Sequence, residues 1–494
     1  MKIKKGIIFF IGLLFVMNAK AQLPTAQAVA HQMTVGWNLG NTLEAVCGET
    51  AWGGAIITQR LIDSVKALGF NTVRIPCAWN CHSHNGVIDS GWLARVKQVV
   101  DYCVNDGMYT ILNIHWDGGW LENNCTTTAQ ASVNAKQQNY WTQIANYFNS
   151  YDEHLLFASA NEPNVSDSVG MCVLLSYHQT FINAVRATGG NNSSRSLIIQ
   201  GPSTDISKTN SLMNTLPTDN IPNRLMVEIH YYTPYQFCLL AKDASWGNMF
   251  YYWGKDYHSA TDTIHNATCG EESSLDSAFQ LMKTKYVDHG IPVIVGEYAA
   301  IKRHLTNPSD EALHLLSRLH FYRYLVCSAK NKGLIPFCWD INMGIFDRSA
   351  DSVLDRDVVN AIMEGAGKSY VRLSHRASGL PIDGMYRTRS DSNAIQWSNN
   401  GTQKWRMLPV GGYMEFENKA TGPYLDAMYN YINGSPACQD GDPTTVWRQS
   451  GTQKIPIDLV IDWGKEENLI GNLTVKENFP TFKTIDCGKL KSFP

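Results

Sequence analysis

The sequence predicts an α/β fold, a (β/α)8 TIM barrel, followed by a C-terminal all-β domain. Three observations support this prediction. Eight short apolar runs alternate with amphipathic stretches between residues 35 and 365, as in a parallel barrel. Most of these runs are bounded by Gly, Pro or Asn, as expected for strands that are buried on both faces. Beyond residue 367 the helical periodicity fades, and Gly, Asn, Ser and Thr separate short strand-like pieces.

The apolar runs are predicted to be the barrel strands. They cover residues 35–39, 72–75, 109–114, 155–160, 196–200, 225–229, 292–295 and 334–337. The stretches between them keep an apolar helical face, for example Leu61, Val65 and Leu68 at i, i+4 and i+7. A helix start is predicted at Asn307-Pro308. An open doubly wound sheet is the alternative, and it is weakened because no Gly-rich dinucleotide-binding motif follows any strand.

The N-terminus has the pattern of a secretory signal peptide. Lys2, Lys4 and Lys5 precede an apolar stretch of residues 7–17, and Ala19-Lys20-Ala21 follows. The apolar stretch is too short to span a bilayer as a stable helix. We therefore expect residues 1–21 to be removed and a secreted or periplasmic product, with residues 22–367 as the catalytic domain. No cysteine follows the cleavage site, so no lipid anchor is expected there.

Charge and cysteine content limit the partners. The net charge of −3 gives no support for nucleic acid or an anionic membrane as partner, and the oligomeric state cannot be inferred. Twelve cysteines in an exported chain permit disulfides, although the pairing cannot be deduced from their spacing. A cluster of Cys77, Cys81, His82 and His84 permits a structural metal, but free thiols or a disulfide fit the spacing better.

The C-terminal part, residues 368–494, contains an internal repeat. The segment 379–386 returns 43 positions later as 422–429. Gln403-Lys404-Trp405 is the Q-x-W mark of ricin-B-type β-trefoil lectin repeats, which this part resembles, whereas the second copy reads Thr445-Val446-Trp447. A complete trefoil needs three units, and no convincing third unit is present. A carbohydrate-binding module and a small packing module both remain open.

Two glutamates stand at the ends of two predicted strands. Asn161-Glu162-Pro163 follows one strand and Gly296-Glu297-Tyr298 follows another, 135 positions later. Because the carboxyl ends of parallel barrel strands meet on one face, we expect both carboxylates to lie on that face. Paired carboxylates there favour hydrolysis of a glycosidic bond, with one acid and one nucleophile or base.

Several longer motifs accompany the two glutamates. They are the segments 36–43 (GWNLGNTL), 71–76 (NTVRIP), 161–163 (NEP), 230–234 (HYYTP) and 296–298 (GEY), together with 49–53 and 344–348. In these motifs the chain resembles glycoside hydrolase family 5, in the clan of retaining (β/α)8 glycosidases. The resemblance covers about residues 30–350 and is closest to the endoglucanase-type subfamily 4. Relatives often carry two histidines where this chain has His115-Trp116, a difference that bears on local subsite preference.

The resemblance implies roles for the two glutamates and their neighbours. It identifies Glu162 as the general acid/base and Glu297 as the nucleophile. A retaining enzyme needs these carboxyl groups about 5–5.5 Å apart and in different protonation states. Arg74 is expected to hold Glu297 ionised, and Tyr232 is expected to donate a hydrogen bond to it.

Other residues are expected to contact the sugar. Asn161 is suited to hydrogen-bond the 2-hydroxyl, and His115 and His230 are expected to orient sugar hydroxyls or the acid/base. Trp339 is expected to form the stacking floor of a subsite, because its flat apolar face and single N–H donor suit a pyranose ring. The remaining candidates for substrate contact are Asn38, Trp116, Trp37, Trp79 and Trp120, and the aromatic insertion 235–269 is a candidate wall of the cleft.

The function predicted from these features is a secreted endo-β-1,4-glucanase that acts on cellulose, mixed-linkage glucan or xyloglucan by double displacement. It needs no metal or other cofactor, and its partner is the β-linked polysaccharide itself. An endo-mannanase or xylanase with the same mechanism is an alternative, because fold and motif do not decide the substrate. A polysaccharide-binding protein without catalysis is the alternative of another class.

Overall fold

Eight parallel strands form a closed barrel. The computed structural model describes residues 22–367 and, beyond them, only the strand segments given below. Around the barrel the strands run in the order β1-β8-β7-β6-β5-β4-β3-β2, so strands that are consecutive in sequence are neighbours in space. The (β/α)8 prediction is therefore confirmed, and the open-sheet alternative is wrong. The strands are β1 (Gly36–Leu39), β2 (Thr72–Ile75), β3 (Tyr109–Asn113), β4 (Leu155–Ala158), β5 (Leu197–Gln200), β6 (Leu225–His230), β7 (Val293–Tyr298) and β8 (Leu334–Asp340).

α-Helices alternate with the strands and cover the outside of the barrel. The helix predicted at Asn307-Pro308 begins there, with proline in its first turn and the Asn307 side chain accepting a hydrogen bond from the Ser309 N–H. The α-helices in the described residues are Ala26–Gln32, Gln59–Ala67, Ser90–Asn105, Gln130–Tyr147, Ser168–Ala187, Ile206–Leu212, Tyr235–Cys238, Glu272–Lys285, Pro308–Asn331 and Arg356–Gly365. None of the described helices has the length and apolar character needed to cross a bilayer.

The N-terminal helix Ala26–Gln32 closes one end of the barrel. Its residues Ala26 and Val29 and the following Met33 pack against the apolar barrel interior, which includes Ile111 and Phe337. Asn71, just before β2, donates to the Gln32 carbonyl, which fixes the helix at the end where strands begin. The opposite end, where strands finish, is left for polar side chains.

Three strands run further than the sequence predicts. β6, β7 and β8 extend to His230, Tyr298 and Asp340, because the parallel ladder continues through the pairs His230↔Glu297 and Asn38↔Trp339. These side chains are therefore held by the sheet rather than by flexible loops. The strand predicted at 155–160 is shorter and ends at Ala158.

Short strands also lie outside the barrel. Ser83–His84 pairs with Val87–Ile88, and Phe346–Asp347 pairs with Ser352–Val353. Beyond residue 367 the described strands are Tyr370–His375, Ile382–Asp383, Ser392–Asn393, Ile395–Gln396, Lys404–Val410, Tyr413–Asn418, Tyr424–Asp426, Cys438–Asp440 and Leu459–Asp462. The signal peptide 1–21 and most repeat residues lie outside the described residues, so the domain boundaries and the trefoil-like repeat stay predictions.

Candidate active site

The two predicted glutamates meet at the open end of the barrel. A carboxylate oxygen of Glu162, one of Glu297 and a ring nitrogen of His230 all lie within 4.8 Å of one another. Glu297 is buried at the end of β7, whereas Glu162 follows β4 and leaves 43% of its side chain exposed. His230, from β6, has its Nδ1 2.6 Å from Glu162 Oε1 and 3.7 Å from Glu297 Oε2. The Glu162 and Glu297 oxygens, within 4.8 Å of each other, are close enough for the two carboxyl groups to act on one anomeric carbon.

Arg74, fully buried on β2, connects the polar groups beneath this pair. Its Nη1 donates to Glu297 Oε1 and to Asn38 Oδ1, each at 2.9 Å. Its Nη2 donates to Asn161 Oδ1 at 2.8 Å, and its Nε lies 2.9 Å from Glu228 Oε1. The guanidinium is thus fixed by contacts with β1, β6, β7 and the segment after β4.

Glu297 has a donor on each carboxylate oxygen. Arg74 binds Oε1, and the Tyr232 hydroxyl donates to Oε2 at 3.0 Å. Burial raises the pKa of Glu297, while the positive charges of His230 and Arg74 lower it. The pairing of Arg74 with Glu297 that the sequence predicts is therefore present. It lowers the pKa of Glu297, whereas burial, which the sequence did not reveal, raises it.

His230 and Glu162 are joined by a short hydrogen bond. Burial alone would lower the pKa of His230, but the charge of Glu297 and hydrogen bonds to Glu162 and Glu228 raise it to about 10. Burial alone would raise the pKa of Glu162, but the hydrogen bond and charge of His230 outweigh it and lower the pKa. Transfer of one proton from Nδ1 to Oε1 would convert Glu162 to its acid form.

The same three side chains are the one group of potential metal ligands of this size within the described part of the chain. The Arg74 guanidinium, 2.9 Å from Glu297, places a fixed positive charge beside any ion there. The cysteine–histidine cluster does not come together as a ligand set: Cys77 and Cys81 are free thiols, and His82 stacks on Trp92 with a centroid distance of 3.6 Å.

The prediction that Asn38 contacts substrate is wrong. Its side chain is fully buried on β1. Its Nδ2 donates to the Gly296 carbonyl at 2.8 Å, and its Oδ1 accepts from Arg74 at 2.9 Å. Both polar atoms are therefore used within the protein, and Asn38 positions Arg74 instead.

Trp339 and Trp116 are available for a ligand at this end of the barrel. Trp339 is half-buried and stacks on His115, with ring centroids 5.7 Å apart and planes inclined by 13°. Trp116 is 42% exposed. Burial and the charge of Arg74 lower the pKa of His115 well below its ordinary value, so the neutral ring faces Trp339. The apolar faces of a pyranose ring can stack on these two indole rings.

Two other predicted aromatic contacts are corrected by the structure. Trp37 and Trp79 are fully buried, with their indole nitrogens donating to Asp340 and to the Asn113 carbonyl. Trp120 donates to the Asp117 carboxylate and is half-buried, so its contact with substrate stays a prediction.

The insertion 235–269 packs mainly inward. Trp253 is fully buried, and its backbone N–H donates to Ser317 Oγ on the helix Pro308–Asn331. Only Tyr235 and Trp246 among its aromatic residues are strongly exposed, at 50% and 62%. Much of the insertion therefore packs against the protein, and these two rings are its most exposed aromatic side chains.

Sequence reasoning missed two supporting residues inside the barrel. Glu228 on β6 contacts Arg74 and His230, and Gln200 on β5 donates to Glu228 Oε2 at 2.6 Å. Gln200 also accepts a hydrogen bond from the Ala160 N–H at 2.9 Å. A signal for Glu228 was present, because residues i and i+2 of a strand share a face and His230 was already a candidate.

The close packing of Gly296 against Glu228 can be tested by substitution. A Cβ placed on Gly296 would lie 2.0 Å from Glu228 Oε1, which is buried and held by Arg74. Gly296→Ala should therefore lower the free energy of unfolding by about 1–3 kcal/mol, measured by chemical denaturation. Gly247→Ala is the control, because its nearest neighbour would lie 3.6 Å away. Equal stability of the two variants would contradict the tight packing described here.

Comparisons with known proteins agree with the barrel fold. A family model described as cellulase, glycosyl hydrolase family 5, matches residues 32–365. An endoglucanase A of Paenibacillus barcinonensis is 36% identical over 377 residues, which cover 69% of this chain and 90% of that protein.

Two proteins with similar barrels have solved structures that contain a bound oligosaccharide. A family 5 xyloglucan-specific β-1,4-glucanase from a ruminal metagenomic library, in complex with XXLG, is 44% identical. It matches with a TM-score of 0.66 over 70% of this chain and 96% of its own. A broad-specificity endoglucanase of Ruminococcus champanellensis with bound cellotriose is 33% identical, with a TM-score of 0.59 over 69% of this chain and all of its own (100%).

Proposed function

Because the chain belongs to the cellulase family, glycosyl hydrolase family 5, we propose that it cleaves internal β-1,4-glucosidic bonds by double displacement on Glu162 and Glu297. The chain is a glycoside hydrolase of the endo-β-1,4-glucanase type, like its relatives. The observation that carries the mechanistic part is the meeting of Glu162, His230 and Glu297 within 4.8 Å.

In the first step Glu297 is the nucleophile. One of its carboxylate oxygens attacks the anomeric carbon, and the bond from that carbon to the leaving sugar oxygen breaks. Glu162 gives its proton to the leaving oxygen, which departs as a hydroxyl group. Arg74 and Tyr232 hold Glu297 by a hydrogen bond to each oxygen, so the attacking group is oriented before substrate binds.

In the second step Glu162 acts as the base. It takes a proton from water, whose oxygen attacks the anomeric carbon and releases Glu297. His230 lies 2.6 Å from Glu162 and supports both steps, because its ring nitrogen stabilises the carboxylate that Glu162 becomes after it has given its proton to the leaving oxygen. Two inversions at one carbon give overall retention of configuration.

The substrate we propose is a β-1,4-glucan backbone, with xyloglucan among the accepted forms. The half-buried Trp339 and the exposed Trp116 support this, because flat apolar faces bind the faces of glucosyl rings. The 44% identical relative named as xyloglucan-specific supports the extension to xyloglucan. We also propose that the chain is exported after removal of a signal peptide near Ala21, on the basis of the basic, apolar and small-residue pattern at its N-terminus.

A substrate panel tests the proposed specificity. Purified protein is incubated with carboxymethyl cellulose, barley β-glucan, xyloglucan, mannan and xylan, and reducing ends and viscosity are followed together. We expect release from xyloglucan and barley β-glucan with an early fall in viscosity, and rates on mannan and xylan lower by roughly 10-fold or more. Faster cleavage of mannan or xylan would support those alternatives. Binding of a glucan without any new reducing ends would support a non-catalytic protein.

A further inference from the structure

We propose that Glu122 is a positioning residue that aligns the acid/base Glu162 through its backbone. Glu122 lies in the loop after β3 and is 7% exposed. Its Oε1 accepts a hydrogen bond from the Glu162 N–H at 2.7 Å. No motif of the sequence pointed to it, because the loop that carries it has no regular periodicity. The inference rests on the proposed double displacement.

Glu122 fixes the segment after β4 at more than one point. Its backbone carbonyl accepts from the Asn164 N–H at 2.9 Å. Its carboxyl group also hydrogen-bonds the side-chain amide of Asn161, whose Oδ1 accepts from Arg74. Asn161, Glu162 and Asn164 are therefore all held by one residue from a neighbouring loop.

The other side of this segment is held by the loop after β5. The Ser203 N–H donates to the Pro163 carbonyl at 2.7 Å, and Thr204 Oγ1 donates to Glu162 Oε1 at 3.4 Å. Of these two hydrogen bonds, the one from Thr204 to the Glu162 side chain is long, and the one from Ser203 holds the backbone only at Pro163. Removal of Glu122 would thus leave the Glu162 backbone free to shift on the β3 side, away from the position that faces the leaving oxygen.

A neutral amide should keep the contact with the Glu162 N–H. Burial raises the pKa of Glu122 to about 7, so the carboxyl group is largely neutral in mildly acid solution. The side-chain oxygen of glutamine can accept from the same Glu162 N–H, whereas its NH2 group, unlike a carboxylate oxygen, cannot accept from the Asn161 amide. Alanine removes the acceptor and leaves that N–H without its side-chain partner.

The test compares Glu122→Ala and Glu122→Gln on two substrates, using the full chain. Xyloglucan needs a protonated leaving oxygen, whereas a dinitrophenyl cellooligosaccharide has a leaving group that departs without a proton. For Glu122→Ala we expect kcat/KM on xyloglucan to fall roughly 10–100-fold, because a misplaced general acid loses most of its effect. The value on the dinitrophenyl substrate should fall several times less, and Glu122→Gln should recover a clear part of both losses.

Glu49→Ala is the matched control. Glu49 is also 7% exposed and accepts a backbone N–H, that of Ile57, at 2.8 Å, in a loop without a catalytic group. It should lose stability without a change in the ratio of the two substrates. Equal losses on both substrates, no rescue by glutamine, or a fully active alanine variant would overturn the inference. In each of those cases an active wild-type protein would leave the proposed function standing, whereas an inactive wild type would reject the function itself.

Discussion

Replacement of Glu297 by alanine is expected to abolish hydrolysis of soluble β-glucan. The carboxylate that would form the covalent intermediate is lost, and the aligned Arg74 and Tyr232 have no group to orient. The expected loss of kcat is roughly 10⁴-fold or more, the scale seen when a catalytic nucleophile is removed from a working set. The measurement is release of reducing ends from barley β-glucan and xyloglucan.

An activated substrate and azide make this prediction specific for a nucleophile. A dinitrophenyl leaving group should not restore Glu297→Ala, because the attacking group itself is missing. Azide can occupy the space of the carboxylate and attack the anomeric carbon directly, which yields an α-glycosyl azide by a single inversion. Glu153→Ala is the control, because Glu153 precedes β4 at the opposite end of the barrel. Activity of Glu297→Ala near the wild-type level would end the proposed mechanism.

The barrel and its catalytic pair could be predicted from sequence because both leave local signals. Each strand is a short apolar run between turn residues, and every one of the eight runs became a strand of the barrel. Glu162 and Glu297 directly follow such runs, and parallel strands bring their carboxyl ends to one face. Arg74 and Tyr232 could be found for the same reason.

The supporting contacts could not be predicted because they depend on side-chain direction and on loops. Asn38 was expected at the substrate, but the strand places it beneath Arg74, where its oxygen is needed. Trp37 has the residue type of a sugar platform, yet it packs edge-on against Phe346 in the core. Glu122 reaches Glu162 from an irregular loop, where no periodicity fixes the position of a side chain.

Electrostatics was the least predictable part of the site. The sequence led us to expect that Arg74 would hold Glu297 ionised and that Tyr232 would donate a hydrogen bond to it. The structure adds burial, which raises the pKa of Glu297, and a 2.6 Å hydrogen bond between His230 and Glu162. These effects depend on how much water each group loses, a quantity that sequence position does not contain.

Replacement of Glu162 by alanine should have a different signature from that of Glu297. Cleavage of xyloglucan should fall roughly 10²–10⁴-fold, because the leaving sugar oxygen is not protonated. A dinitrophenyl substrate departs without a proton, so its kcat/KM should stay within about 10-fold of the wild-type value. Its kcat should fall further, because the water that releases Glu297 lacks its base.

Azide also distinguishes the roles of the two glutamates, because Glu162→Ala should give the opposite anomer of the glycosyl azide. In Glu162→Ala the covalent intermediate on Glu297 forms normally and accumulates when the leaving group is good. Azide can attack it without a base in the space that Glu162 vacates, and the second inversion gives a β-glycosyl azide. His230 would lose its 2.6 Å partner, so the rise of its pKa to about 10 should shrink, which NMR titration of the ring can measure. An α-azide from this variant, or an equal loss on both substrates, would reverse or reject the assignment of the two glutamates.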